Sequence, residues 1–143
     1  MPARATISTV AGILTIELED DRLLVQVERE IEEYLAGRRK KFDVAVNPPG
    51  TVFQQKVWRR LCSIPYGQTA TYSEVARDIG HPGAGRAVGS ACGRNPAPVV
   101  IPCHRVLAKN GWGGYSGGLG LKKFLLSVEQ KKSSGNEGSN ASL

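Results

Sequence analysis

The sequence predicts an α+β fold, in which a mainly helical domain follows a short N-terminal β/α segment. Two capping boxes, Thr-x-x-Gln and Thr-x-x-Glu, mark the starts of helices. Two short helices joined by a glycine-containing turn form a predicted helix-turn-helix. Residues 5–27 are rich in β-branched side chains and alternate in part, which indicates short strands. A length of 143 residues fits one domain, or one domain with a small appendage.

The N-terminal segment covers residues 1–45. Its predicted elements are strands in ATISTV (5–10) and LLVQV (23–27), a turn at EDD (19–21) and a helix over 28–36. The stretch DVAVNPPG (43–50) contains two prolines and a glycine and is expected to link this segment to the next domain.

The helical domain covers residues 46–130, and a polar tail over 131–143 is expected to be disordered. Val57, Trp58 and Leu61 continue the apolar stripe of the first helix, which begins after Thr51. Three further helices are predicted. The first begins at the TYSE capping box (71–74) and ends near Gly80, the second runs from about Gly85 to Arg94, and the third covers 119–130.

The helix at 85–94 has two different faces. The outer face carries Arg86, Gly89, Ser90 and Gly93, and the inner face carries Ala87, Val88, Ala91 and Cys92. Glycine inside a helix costs up to about 1 kcal/mol relative to alanine. A face of one arginine and three small residues therefore favours the close approach of another surface, either nucleic acid or a neighbouring helix.

Charge is unevenly distributed along the chain. The formal net charge of +6 divides into −2 for residues 1–50 and +8 for residues 51–143. Such asymmetry favours a polyanionic partner, although a basic face without a partner has the same composition. The sequence has no apolar run of about 18 residues and no signal-peptide pattern at its start, so we expect no membrane contact and a cytoplasmic location.

Cysteine and histidine content argues against a disulfide framework or a metal site. The three cysteines, Cys62, Cys92 and Cys103, have no Cys-x-x-Cys spacing, and His81 and His104 add too few ligands. We expect no metal and no cofactor. Cys62 and Cys92 fit the interpretation of small buried hydrophobes.

Cys103 is the candidate nucleophile because it lies in a proline-stiffened segment beside His104. A thiol becomes a good nucleophile when a histidine takes its proton, and a carboxylate can orient that histidine. Glu74 belongs to a capping box, which leaves Glu129 as the best candidate for the third member. A metal ligand and a packed core residue are the alternatives for Cys103.

IPCHRV (101–106), preceded by RAVGSACGRNP and followed by GGYSGGL, resembles the O6-alkylguanine-DNA alkyltransferase family. GTVFQQKVW and IPYGQTATYSEVA also fit, so that the resemblance covers roughly residues 51–130, and EEYLAGRRKKFDV is more loosely similar to the family's linker region. It implies a small alkyltransferase core with a winged helix-turn-helix. Because only about 45 residues precede that core, the N-terminal β/α domain of the family would be reduced here.

The resemblance also implies roles for individual residues. Cys103 would accept the alkyl group, His104 would deprotonate it through a water, Glu129 would polarise His104, and Asn95 would brace the active-site segment. The implied substrate-binding residues are Tyr72, Tyr115, Ser116 and Val106, the last through its backbone. The implied DNA-binding residues are Arg86, which would fill the gap left by a flipped base, and Gly89, Ser90 and Arg94.

The function implied by the resemblance is single-turnover DNA repair by a monomer on double-stranded DNA. The alkyl group of O6-alkylguanine, with O4-alkylthymine as a further candidate, would pass irreversibly to Cys103. The alternatives are an alkyltransferase-like protein that binds damage without chemistry, and a Cys-His hydrolase. Proteins of the first kind commonly carry tryptophan in place of the cysteine, and the second needs an oxyanion hole that the sequence does not indicate.

Overall fold

A computed structural model describes the backbone of residues 3–141 and the side chains of residues 3–131. The architecture is α+β, as predicted, with helices predominating over two small sheets in this range. No helix in the described part of the chain is both long enough and apolar enough to span a bilayer.

The N-terminal segment is a β-hairpin followed by a helix. Strands β1 (Ala3–Thr9) and β2 (Gly12–Leu18) pair antiparallel. A 3-10 turn at Asp21–Leu23 follows and leads directly into α1 (Leu24–Leu35). Every second residue of β2 is buried, so the inner face of the hairpin packs on the core while its outer face is exposed.

The predicted strand at 23–27 is wrong, because these residues form the end of the 3-10 turn and the first turn of α1. Val27, Ile31 and Tyr34 are fully buried and follow one another at spacings of four and three. This helical stripe extends four residues further toward the N-terminus than predicted. Burial of the stripe outweighs the strand preference of the β-branched valines.

The predicted helix-turn-helix is present. It is formed by α3 (Tyr72–Asp78) and α4 (Gly85–Gly93), which follow α2 (Val52–Cys62) and the short strand β3 (Ala70–Thr71). Trp58 Nε1 donates to the Ala91 carbonyl at 2.9 Å, so a buried hydrogen bond fixes α2 against α4.

Both capping boxes form as the sequence indicates. Thr51 Oγ1 accepts from the Gln54 backbone N–H while Gln54 Oε1 accepts from the Thr51 N–H, and Thr71 and Glu74 repeat the arrangement. The carboxylate of Glu74 is therefore occupied at a helix start, as expected. Ala87, assigned to the inner face of α4, is exposed, whereas the other three residues of that face are buried.

The segment between α4 and the last helix carries the candidate nucleophile. It contains a 3-10 turn at Cys103–Arg105 and the short strand β4 (Val106–Leu107), which pairs parallel with β3. Val99 has φ of 77°, an outlier for a β-branched residue. Residues around it hold this conformation, since Val99 is 1% exposed.

The last helix, α5 (Leu119–Ala141), runs past its expected end at Gln130. The sequence predicted the earlier end because the stretch from Lys131 is polar and rich in glycine and serine. The side chains of 132–141 and residues 142–143 lie outside the described part of the chain. The disorder expected for 131–143 thus stays a prediction.

One hydrophobic core runs through the hairpin, α1 and the helical domain. A backbone hydrogen bond of 2.7 Å from Glu17 N–H to the Pro96 carbonyl also ties β2 to the segment that precedes Cys103. The N-terminal segment therefore supports the candidate site directly. The predicted boundary at residues 45 and 46 remains a prediction.

Removing the cap of α2 tests the local argument for this helix. Thr51→Ala deletes the hydroxyl that accepts from the Gln54 N–H, and we expect a loss of about 1 kcal/mol in the free energy of unfolding. Urea unfolding measures this loss. Thr69→Ala, in an exposed loop, is the matched control. Equal losses in the two variants would contradict the capping argument.

Candidate active site

A cavity of about 660 Å³ opens between the helix-turn-helix and the glycine-rich loop before α5. Cys103 lies in its wall and is only 4% exposed. The cavity also meets the outer face of α4 at Arg86 and Gly89. A group that reacts with Cys103 must therefore enter this cavity to reach the sulfur.

Asn95 fixes the segment that carries Cys103. Its Nδ2 donates to the Ile101 carbonyl at 2.8 Å and to Cys103 Sγ at 3.2 Å, while its Oδ1 accepts from the Ala97 N–H at 2.9 Å. Burial raises the pKa of the Cys103 thiol, and the contact with Asn95 and the charge of Lys122 oppose this rise. The resting thiol is protonated, so its reaction requires a base.

His104 and Glu129 form a fully buried pair in which Nε2 lies 2.6 Å from Oε2. The carboxylate of Glu129 also accepts from Arg105 Nε at 2.9 Å, from Arg105 Nη2 at 3.0 Å and from the Gly67 N–H at 3.2 Å. Burial alone would raise the pKa of Glu129, but the hydrogen bonds from His104 and Arg105 outweigh it and lower the pKa to about 2. Glu129 is therefore ionised at neutral pH.

An ionised Glu129 assigns the protons of His104. Burial lowers the pKa of His104, although Glu129 opposes the shift, so the ring is neutral near pH 7. The proton of the neutral ring belongs on Nε2, next to the carboxylate. Nδ1 is then an acceptor, and it is buried without a hydrogen-bonding partner among the protein groups described. This arrangement provides a base with its acceptor atom available.

Tyr115 provides the complementary donor. Burial, and secondly the neighbouring Cys103, raise the pKa of Tyr115 well above its usual value, so its hydroxyl stays protonated. This hydroxyl is buried in the cavity wall and donates to no protein acceptor with good geometry. It can donate to an oxygen or nitrogen of a molecule in the cavity.

Gly113 allows Tyr72 to take its place in the cavity. Gly113 has φ of +72°, and a Cβ atom there would lie 2.6 Å from Tyr72 Oη. Glycine at position 113 is thus required by both the backbone conformation and the ring of Tyr72.

The structure brings together most of the residues predicted for the site. Cys103, Tyr72, Tyr115, Ser116, Arg86 and Gly89 line one cavity, and Asn95, His104 and Glu129 contact Cys103 or one another behind it. Val106 is buried in β4. Ser90 is exposed on α4 but does not line the cavity, and Arg94 lies in another cavity beside Glu17 and Glu19. Residues 3–131 hold no group of three His, Cys, Asp or Glu side chains arranged for a metal.

Lys122 is a site residue that the sequence analysis does not identify. It is fully buried, and Nζ donates to the Trp112 carbonyl at 2.6 Å and to the Gly114 carbonyl at 3.0 Å. The ammonium group therefore holds the glycine-rich loop and lies close enough to favour a Cys103 thiolate. Lys122, Leu125 and Glu129 share the inner face of α5. Two charged residues on an otherwise apolar face are the feature of the sequence that could have identified Lys122.

Residues 52–131 match the family model described as 6-O-methylguanine DNA methyltransferase, DNA binding domain. The chain belongs to the 6-O-methylguanine DNA methyltransferase family. Among its relatives is the inducible methylated-DNA–protein-cysteine methyltransferase of Bacillus subtilis, 52% identical over 118 residues. The methylated-DNA–protein-cysteine methyltransferase of Methanosarcina acetivorans is 49% identical over 113 residues. These alignments cover 82% and 78% of this chain, but 66% and 72% of the two relatives.

Solved structures of the same family share the fold. The crystal structure of Mycobacterium tuberculosis O6-methylguanine methyltransferase has a TM-score of 0.82 at 36% identity, over 92% of this chain and 94% of that one. The crystal structure of M. tuberculosis OGT in complex with DNA has a TM-score of 0.79 at 36% identity, over 89% and 92% of the two chains. Both the hairpin segment and the helical domain thus take part in the likeness.

The buried pair predicts how stability depends on pH. The low pKa of Glu129 means that its contribution is complete above about pH 4.5 and is lost as pH falls toward 2. Over that range wild type should lose up to about 1.4 kcal/mol per pH unit more than Glu129→Gln. Urea unfolding at several pH values measures the difference. Glu32→Gln, on the exposed side of α1, controls for the loss of one carboxylate, and identical slopes for wild type and Glu129→Gln would contradict the assignment.

Proposed function

We propose that this chain is a single-turnover DNA repair protein. It acts as a monomer and transfers the alkyl group of O6-alkylguanine in double-stranded DNA to Cys103. The observation that carries this proposal is the buried thiol at a cavity that also meets the arginine-bearing face of α4. Membership of the family and the names of its relatives support it. One chain supplies every group that the reaction uses, which fits a monomer.

The first step in this proposal is removal of the thiol proton. His104 Nδ1 accepts the proton of Cys103 through a water, and Nε2–H continues to donate to Glu129. The ionised carboxylate stabilises the imidazolium that forms. Asn95 and the ammonium group of Lys122 favour the thiolate. Cys92 also lines the cavity, and burial raises its pKa to about 12, but Asn95 donates to the sulfur of Cys103 and not to that of Cys92.

The second step is a direct displacement at the alkyl carbon. The thiolate of Cys103 forms the S–C bond as the C–O6 bond of the base breaks, and both electrons of that bond leave with the oxygen. Guanine departs as its anion, or as the neutral base if Tyr115 donates its proton. The product is a thioether, for which the chain offers no hydrolytic route, so each molecule reacts once.

The depth of the site requires that the base leave the duplex. A base stacked in DNA cannot reach a thiol that is 4% exposed, and flipping costs a few kcal/mol. Arg86 is exposed on α4 at the edge of the cavity, where its side chain can occupy the gap left by the base. Gly89 on the same face allows the DNA backbone to approach closely.

Loss of the nucleophile separates binding from chemistry. Cys103→Ala should abolish alkyl transfer and leave duplex affinity within about twofold, because the exposed residues of α4 do not contact the thiol. The measurements are a lesion titration with product counted at long times, and a binding isotherm. Wild type should yield at most one product per chain. Repeated turnover by wild type, or repair by Cys103→Ala, would refute the suicide mechanism.

Arg86 should matter only when a base must be held out of a stack. Arg86→Ala is expected to slow repair of O6-methylguanine in duplex DNA by at least about tenfold and to change the reaction with free O6-benzylguanine little. Single-turnover rates on both substrates measure the contrast. Arg4→Ala, on an exposed strand of the hairpin, removes the same charge away from the site. Equal losses on the two substrates would exclude the role given to Arg86.

A further inference from the structure

Tyr34 lies outside the stretch 52–131 that matches the family model, yet it reaches the centre of the site. It belongs to the last turn of α1 and is fully buried. Its hydroxyl donates to Glu129 Oε2 at 2.5 Å and lies 3.4 Å from His104 Nε2. The N-terminal segment thus supplies a group to the buried pair.

Glu129 Oε2 is shared by three donors. They are Tyr34 Oη at 2.5 Å, His104 Nε2 at 2.6 Å and Arg105 Nη2 at 3.0 Å. Each donor withdraws electron density from the same oxygen, so each weakens the hold of that oxygen on the other two. The hydroxyl of Tyr34 therefore competes with the imidazole N–H for the carboxylate.

Tyr34 acts only as a donor in this competition. Burial, and then the neighbouring Glu129, raise the pKa of Tyr34 far above its usual value, so the hydroxyl keeps its proton at every accessible pH. Aromatic contacts hold the ring in place: Phe42 lies 5.7 Å away and Tyr66 lies 6.1 Å away, both between ring centroids. The direction of donation is fixed by chemistry and by packing.

We propose that Tyr34 is a positioning residue of the alkyl transfer: its hydroxyl orients the Glu129 carboxylate and limits how strongly that carboxylate holds a proton on His104. This inference rests on the proposed function, because it concerns the base of that reaction. The inference concerns a balance between two requirements on Glu129. Glu129 must stabilise the imidazolium that forms during transfer, but it must leave the resting ring neutral so that Nδ1 can accept a proton.

Several other charged or titratable groups surround His104. They are Glu129 and Lys122 on α5, Arg105 beside it on the 3-10 turn, Cys103 before it, and Tyr66 near Tyr34. Arg105 and Lys122 disfavour the imidazolium, and Glu129 favours it. None of these groups changes when only the hydroxyl of Tyr34 is removed, so that hydroxyl can be tested alone.

The test is the pH dependence of the single-turnover rate with O6-methylguanine duplex DNA. Tyr34→Phe leaves Oε2 with one donor fewer, which strengthens its hold on the His104 proton. The acid limb of the profile should therefore move upward by about one pH unit. Replacing Tyr34 by 3-fluorotyrosine, a stronger donor of nearly equal size, should move the limb downward. Opposite shifts from two small changes are not expected from a purely structural role.

Tyr66→Phe is the matched control. It removes a hydroxyl from the adjacent ring, which donates to the Val128 carbonyl at 3.4 Å and makes no hydrogen bond to Glu129, so its profile should follow wild type. An acid limb unchanged in both Tyr34 variants would overturn the proposal. If Tyr34→Phe does not fold, the fluorotyrosine variant decides alone, since a limb that stays in place or moves upward refutes it. Wild type that transfers no alkyl group would instead overturn the proposed function itself, and this inference with it.

Discussion

The carboxylate of Glu129 is the group on which the geometry of the site depends. From its place on α5 it joins three other parts of the chain. Tyr34 on α1, Gly67 in the loop after α2, and both His104 and Arg105 on the 3-10 turn donate to it. A buried charge is tolerated only when it is paired and hydrogen-bonded. Each donor to Glu129 therefore fixes the position of its own segment relative to this carboxylate. The catalytic turn is thus fixed against three other segments through one side chain.

Much of this molecule follows from local patterns. The capping boxes at Thr51 and Thr71 fix the starts of two helices, because a cap depends on residues only three positions apart. Elimination among the few acids of the basic half also leads to Glu129, since Glu74 serves as part of a cap. Contact between Glu129 and His104, 25 residues apart, could be proposed from the sequence but required the structure to be seen.

There is a physical reason why other parts of the site could not be predicted from the sequence. Tyr34 reads as one apolar residue of an amphipathic helix, and nothing local shows that its hydroxyl meets a carboxylate 95 positions away. Lysine side chains are ordinarily exposed, so the burial of Lys122 was not expected. Its partners are backbone carbonyls, which every residue carries and which the sequence therefore does not identify. The strand expected at 23–27 failed similarly, because burial against the hairpin decided the conformation.

The left-handed backbone of Val99 has a consequence for when the protein becomes reactive. Such a conformation costs of order 1–3 kcal/mol and persists only where its surroundings impose it. The surroundings are the Asn95 hydrogen bonds, the contact from the hairpin to Pro96, and the core. A nascent or partly unfolded chain lacks them and holds its cysteine away from both Asn95 and a base. The burial of Cys103 and its contact with Asn95 are therefore properties of the completed fold, and a partly unfolded chain presents to stray electrophiles an exposed thiol that the folded cavity shields.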